Sequence, residues 1–251
     1  MAGVDGDRLE EVVDRLHGEE ATAYVEAQNV NAVDRLGYND HGTEHIEIVQ
    51  RRCLELLALL RGDVDWGVED HDLDLTYEDA CVVCVTAAAF HDVGHMVHRR
   101  RHAEHSVALA APLVDDVLDF YPTRERVALK GDVLHAIVSH HSGTDPLTPE
   151  AGIVRVADAL DMEEGRSRMP YSAGQRSIDT VSSQAIQRVS VLDGEAYDVP
   201  VLVEIQMTNS AGVYQIDGLL KSKLEGSGLE HLVRIVAVNE GEDEIVGRIE
   251  L

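Results

Sequence analysis

The sequence predicts a mainly α-helical bundle followed by a small α+β unit. Up to about Met169 the apolar residues recur at helical spacing, as in Ile46-Val49-Cys53-Leu56-Leu57-Leu60 and Val107-Ala110-Ala111-Val114-Val117-Leu118. Beyond Pro170 the pattern turns strand-like, first at Ile186–Val191, then at Val199–Met207 and Leu232–Val238, with helical character between Ala211 and Leu224. A length of 251 residues and a hydrophobic share of 44% allow a real core rather than disorder.

The elements follow from their punctuation. Gly62-Asp63, Gly67, Pro122 and the run Ser142-Gly143-Thr144-Asp145-Pro146 separate the helical segments. Thr148-Pro149-Glu150 ahead of Ile153, Val154 and Val156 reads as a capped helix start with proline at its first position. The polar stretch Ser172–Ser183 reads as a connector, which divides the chain into a helical part, 1–175, and an α+β part, 176–251. A short last strand is expected at Ile245–Ile249, after a turn at Gly241-Glu242-Asp243-Glu244.

Composition narrows the function. Aromatics are only 4%, so Val, Leu, Ile and Ala must fill the core. The formal net charge of -26 repels nucleic-acid phosphates and anionic membranes, so neither is an expected partner. The plain reading of the charge is a solvated acidic surface; a high-salt, halophilic cytoplasm accounts for it too, because salt screens self-repulsion. Met1–Asp7 has neither a basic nor an apolar region of a signal peptide, and no apolar run reaches spanning length, so a cytoplasmic protein is expected. Three cysteines fit a reducing compartment; Cys81-Val82-Val83-Cys84 lies in an apolar run and reads as core packing.

Histidine carries the chemistry. His41, His45, His91, His95, His98, His102, His105, His135, His140 and His141 crowd into the helical half beside acidic residues. Imidazole nitrogen with carboxylate oxygen is the donor set of borderline divalent metals. In Ala87-Ala88-Ala89-Phe90-His91-Asp92-Val93-Gly94-His95 an apolar helix ends in an adjacent His-Asp pair. Such a pair is expected to be buried, and a buried charge needs a partner or a metal.

These residues bring out a resemblance. His45-Ile46-Glu47-Ile48-Val49, His91-Asp92-Val93-Gly94 and Arg155-Val156-Ala157-Asp158-Ala159-Leu160-Asp161 stand in the order and spacing of the HD superfamily of metal-dependent phosphohydrolases, over roughly residues 30 to 170. The resemblance implies an HD-domain helical bundle in which His45, His91, Asp92 and Asp158 ligate a first metal. His102-Ala103-Glu104-His105-Ser106 and Ile137-Val138-Ser139-His140 are similar to the segments that supply a second metal, with Asp92 as bridge and His102 and His140 as ligands. His105 and His141 are the alternatives. Mn, Ni, Co, Mg, Fe and Zn all suit such a set.

The implied reaction is hydrolysis of a phosphate ester of a nucleotide or other small molecule by metal-activated water. Besides Asp92, His95 and His41 are candidates to donate a proton to the leaving group or to contact phosphate, or else to support a ligand. His41 would share a face with His45 if that helix extends back. Arg99, in Arg99-Arg100-Arg101, and Arg166 and Arg168 are candidate anion clamps or plain surface neutralisation. Asp161 is a candidate ligand-orienting residue or a helix-surface acid. A di-iron oxygenase and a non-catalytic metal-binding sensor or assembly module are the competing functions. The strand-rich C-terminal part suits a homodimer interface or a regulatory contact.

Overall fold

In the computed structural model, which describes residues 6–36, 40–141, 143–163, 182, 184–239 and 248–250, the helical spacing of the first part resolves into a bundle. Its helices are α1 (Asp7–Leu16), α2 (Glu19–Asn29), α3 (Thr43–Leu59), α4 (Tyr77–Phe90), α5 (His102–Val117), α6 (Thr123–Ser139) and α7 (Pro149–Ala159). A π-helical stretch, Val30–Arg35, prolongs α2.

Helix α4 is the axis of the bundle. Every residue from Asp79 to Phe90 is buried, as expected of a helix apolar on all sides. It starts with a capping box between Thr76 and Asp79, which satisfies donors left open at the first turn. The same Asp79 carboxylate accepts hydrogen bonds from Arg8 on α1 (3.0 Å) and from the Tyr121 hydroxyl (2.8 Å), so one buried acid ties three segments together. Helix α7 begins as the sequence predicts, with the Thr148 hydroxyl accepting from the Ala151 N–H and Pro149 at the first position. Its buried Glu150 accepts from the Gly67 and Val68 N–H groups, which fastens the loop ahead of α4.

The second part forms β1 (Ile186–Asp193), β2 (Val201–Met207), a helical segment α8 (213–224), β3 (Val233–Asn239) and β4 (Arg248–Glu250). These strands make one sheet in the order β1-β2-β3-β4. β1 and β2 form an antiparallel pair, Ile186 opposite Met207 and Asp193 opposite Val201. β2 and β3 run parallel, so the chain must cross over between them, and α8 is that crossover. Helix α8 is α-helical at Val213–Gln215, widens to π over Ile216–Lys221 and returns to α at Ser222–Leu224. The widened middle had no signal in the apolar spacing.

One hydrophobic cluster runs from Leu9 on α1 through the bundle to Ile235 and Ala237 on β3. At the seam, buried Arg52 of α3 donates to the Val189 carbonyl of β1 (2.5 Å), and Glu163 accepts from the Val189 N–H (2.9 Å). Cys53, Cys81 and Cys84 are buried free thiols inside this core, in line with the packing reading. Burial raises the pKa of all three, that of Cys81 to about 12. Among the described residues no helix is long and apolar enough to cross a membrane. The connector apart from Ser182, the expected boundary at 175, the turn at Gly241–Glu244 and both Arg166 and Arg168 lie outside the described residues.

Candidate metal centre

The C-terminal end of α4 delivers the His-Asp pair to the middle of the bundle. His91 caps the helix, Asp92 follows it, and a single 3-10 turn, Val93–Met96, turns the chain away. Both are buried, His91 fully. The turn fits because Gly94 carries no side chain: a Cβ there would lie 2.0 Å from the His102 carbonyl oxygen and 2.5 Å from the Ser106 nitrogen. The Gly94 N–H instead donates to the Ser106 hydroxyl (2.8 Å), which seats the start of α5 against the pair.

Asp92 divides its two oxygens between two groups of histidines. Oδ2 faces His91 Nε2 (3.4 Å), His45 Nε2 (3.7 Å) and His41 Nε2 (3.8 Å). Oδ1 faces His102 Nε2 (3.3 Å), His95 Nε2 (3.5 Å) and His140 Nε2 (3.7 Å). Asp158, from the end of α7, closes the first group, with Oδ1 at 3.6 Å from His45 Nε2 and 3.7 Å from His91 Nε2. The overlapping trios His45-His91-Asp92, His91-His140-Asp158, Asp92-His102-His140 and His41-Asp92-His95 each have donors close enough to share an ion.

The far nitrogens fix which way each ring acts. Nδ1 of His91 bonds to the Ala88 carbonyl (2.8 Å), of His102 to the Arg99 carbonyl (3.0 Å) and of His140 to the Ile137 carbonyl (2.6 Å). His45 Nδ1 bonds to Asp161 Oδ2 (2.6 Å). A carbonyl or carboxylate can only accept, so each Nδ1 carries the proton, and a ring in its neutral form turns a lone pair inward from Nε2. His102 and His140, whose pKa values burial lowers, therefore oppose two lone pairs at 3.1 Å, and with His91 in its neutral form His45 and His91 do so at 3.3 Å. Bare lone pairs repel at such distances; a cation between them converts repulsion into bonding. Metal–ligand bonds of about 2.1 Å give donor separations of about 3.0–3.4 Å, close to those present. The donors fit a divalent metal.

Electrostatics agree with this division. Burial alone would raise the Asp92 pKa, but His91, His95, His41 and His102 outweigh it and hold the carboxyl well below the usual range. At Asp158 burial is likewise opposed, chiefly by Lys223 and then by His91, and the pKa falls well below normal. Burial lowers the His102 pKa to about 4 despite the attraction of Asp92. Burial, His91 and Lys223 together hold His140 well below its ordinary value. For His91 burial pulls the same way, yet Asp92 and Asp158 prevail and its pKa is raised.

The structure brings His41, His45, His91, Asp92, His95, His102, His140 and Asp158 into one cluster. His105 is half-buried on the following turn and belongs to none of the trios, and His141 is exposed, with its ring edge-on to His102 at 5.2 Å. Asp161, left open between two readings, is buried and hydrogen-bonded to His45. Helix α3 does not extend back to His41: it starts at Thr43 behind Gly42. His41 reaches the cluster from the preceding loop, held by Asn29, which accepts from its N–H (2.9 Å), and by Gln28, which donates to its carbonyl. The Arg99 side chain is exposed, and it is its carbonyl that bonds to His102.

Four supports were not singled out from sequence. Gln28 and Asn29 are two; Asn31, in the π-helical stretch, donates to the carbonyls of His95 (2.7 Å) and Met96 (2.8 Å) and is the third. The fourth is Lys223 of α8, whose ammonium bonds to Asp158 Oδ2. Its scarcity was the one available signal: the chain has three lysines, Lys130, Lys221 and Lys223.

Comparison with known proteins follows the same outline. The HD domain family profile matches residues 40–163. The uncharacterized protein MJ1020 of Methanocaldococcus jannaschii is 35% identical over 238 residues, which cover 93% of this chain and 90% of that protein. Ribonuclease Y of Petrotoga mobilis is 25% identical over 64% of this chain, and Ribonuclease Y of Cutibacterium acnes 26% identical over 62%. The chain spans only 29% and 28% of those two proteins' lengths. No solved structure matches. The chain belongs to the HD domain family.

Proposed function

We propose that this protein is a metal-dependent phosphohydrolase that cleaves a phosphate ester of a nucleotide or other small molecule. The observation that carries the reading is the split of Asp92, one oxygen toward His45 and His91, the other toward His102 and His140. In this reading His45, His91, Asp92 and Asp158 hold one divalent ion, and Asp92, His102 and His140 hold a second. Metals so held supply a water of lowered pKa and positive charge for phosphoryl oxygens. The chain's own part is to present neutral Nε2 atoms by fixing each Nδ1 proton, and to keep both carboxylates charged. His95, beside Asp92 Oδ1, and His41, beside Oδ2, are placed to hand a proton to a leaving group. Arg99, Arg166 and Arg168 remain the candidate anion clamps.

The two ribonuclease Y relatives are, by name, enzymes that cut phosphodiesters, which supports phosphate-ester chemistry. A net charge of -26 disfavours a long polyanion, so a small substrate is proposed.

The test is a screen of phosphomonoesters, cyclic dinucleotides, nucleoside triphosphates and short RNA with Mn, Ni, Co, Mg, Fe and Zn, run with and without oxygen. Replacing a ligand's hydrogen-bond partner costs up to about 100-fold, so His91→Ala and Asp92→Ala are expected to cost more. Turnover untouched by both substitutions would sink the proposal, and turnover that requires oxygen would replace it with the di-iron oxygenase.

A further inference from the structure

Lys223 is the one lysine that the fold carries into the metal centre from outside the bundle. It is 8% exposed, and its ammonium bonds to Asp158 Oδ2. That leaves Oδ1 of the same carboxylate to face His45 and His91. The lysine is rigidly delivered. It follows the π-helical stretch of α8, between buried Leu220 and Leu224, and a π turn re-aims side chains relative to the helix before it. The turn after it lies directly on α7, the helix that bears Asp158. Arg155 donates to the Gly226 carbonyl (3.5 Å), and a Cβ on Gly152 would meet the Ser227 carbonyl oxygen at 2.3 Å.

We propose that the C-terminal α+β unit supplies Lys223 to the metal centre as a built-in cation, which occupies the outer oxygen of Asp158 and sets how tightly the first metal is held. Lys223 is thus a positioning residue acting through Asp158, and this role rests on the phosphohydrolase reading of the centre. Two physical effects follow. With Oδ2 taken, Asp158 offers a metal one oxygen rather than two. A fixed positive charge next to the ligand also opposes a divalent ion and lowers its affinity. In return, the lysine compensates a buried carboxylate that in the metal-free chain would otherwise face only the imidazoles of His45 and His91.

The experiment is a Mn2+ titration of the metal-free full-length protein and of K223M, K223Q and K223R, by calorimetry and by loss of the free-ion resonance signal. K223M and K223Q, which remove the charge, are expected to bind one Mn2+ equivalent on the order of tenfold or more tighter. K223R, which keeps the charge, is expected within about threefold of the parent. Melting of each metal-free variant runs alongside; if K223M does not fold, K223Q against K223R decides. Affinities of K223M and K223Q within about twofold of the parent would overturn the role of Lys223, as would an equal change in all three variants, which marks packing rather than charge. Failure of the parent protein itself to bind Mn2+, and Ni2+, Co2+, Mg2+, Fe2+ and Zn2+ titrated in the same way, removes the metal reading as well, whereas binding that is indifferent to residue 223 removes only this proposal.

Discussion

At the scale of single residues, the centre depends on what stands behind each ligand. Asp161, Ala88, Arg99 and Ile137 fix the four Nδ1 protons, three of them through backbone carbonyls that any residue would offer. Hence the candidate ligands were legible in the sequence while most of their supports were not. Gly94 is the exception, because its reason is steric. Gly94→Ala puts a methyl group against the backbone of α5, and neither the His102 carbonyl nor the Ser106 nitrogen can yield as a side-chain tip would. The expected cost is about 1–3 kcal/mol or more, with weakened metal binding at His102, read by thermal melting and Mn2+ titration. The histidines also set a pH dependence for the metal-free protein. His102 and His140 stay neutral in the fold, His102 down to about pH 4, but take protons near the ordinary value when unfolded. The unfolded chain then binds more protons, so stability should fall as pH drops from about 6.5 toward 4. His91, with a raised pKa, works in the other direction only above that window, since its contribution is complete below the unfolded value. Melting from pH 8 to 4.5 checks this; a flat or rising curve below pH 6.5 would count against neutral rings at His102 and His140.

At the scale of elements, α4 illustrates agreement between local signal and tertiary need. Its apolar run, its Thr76-Asp79 capping box and its closing His-Asp pair are all consecutive in sequence, and such features survive folding because neighbours in sequence are neighbours on a helix. Asp79→Ala removes the cap, strands the Tyr121 hydroxyl and leaves the Arg8 guanidinium with Glu125 at 3.9 Å as its carboxylate partner. A loss of about 2–4 kcal/mol is expected in denaturant unfolding, and the candidate metal centre at the other end of α4 should keep its metal affinity. The π-helical stretches are the opposite case. Val30–Arg35 aims Asn31 at the His95 turn and Ile216–Lys221 aims Lys223 at Asp158. A widening confined to about one turn shifts the apolar phase within segments too short to display a second phase, so it is not read from periodicity.

At the scale of the whole molecule, the charge of -26 bears on solution behaviour rather than on fold. Self-repulsion among acidic groups is screened by salt, so the melting temperature is expected to rise between about 0.1 and 2 M KCl. A temperature that falls or stays level over that range would leave the acidity as a solvated surface with no high-salt role.

The sequence by itself determined the helical bundle, the strand-rich second part and the residue types that are candidates to hold a metal. Periodicity, caps and adjacent residue pairs are local properties, and the family resemblance rests on short motifs in order. Only the tertiary structure decided that His102 rather than His105 faces Asp92, that His41 arrives from a loop and that Asp161 backs His45. It alone joined Lys223 to Asp158, 65 residues away. The reason is physical: orientation about a helix and contact across a crossover are set by packing of distant segments, and no spacing along the chain encodes them.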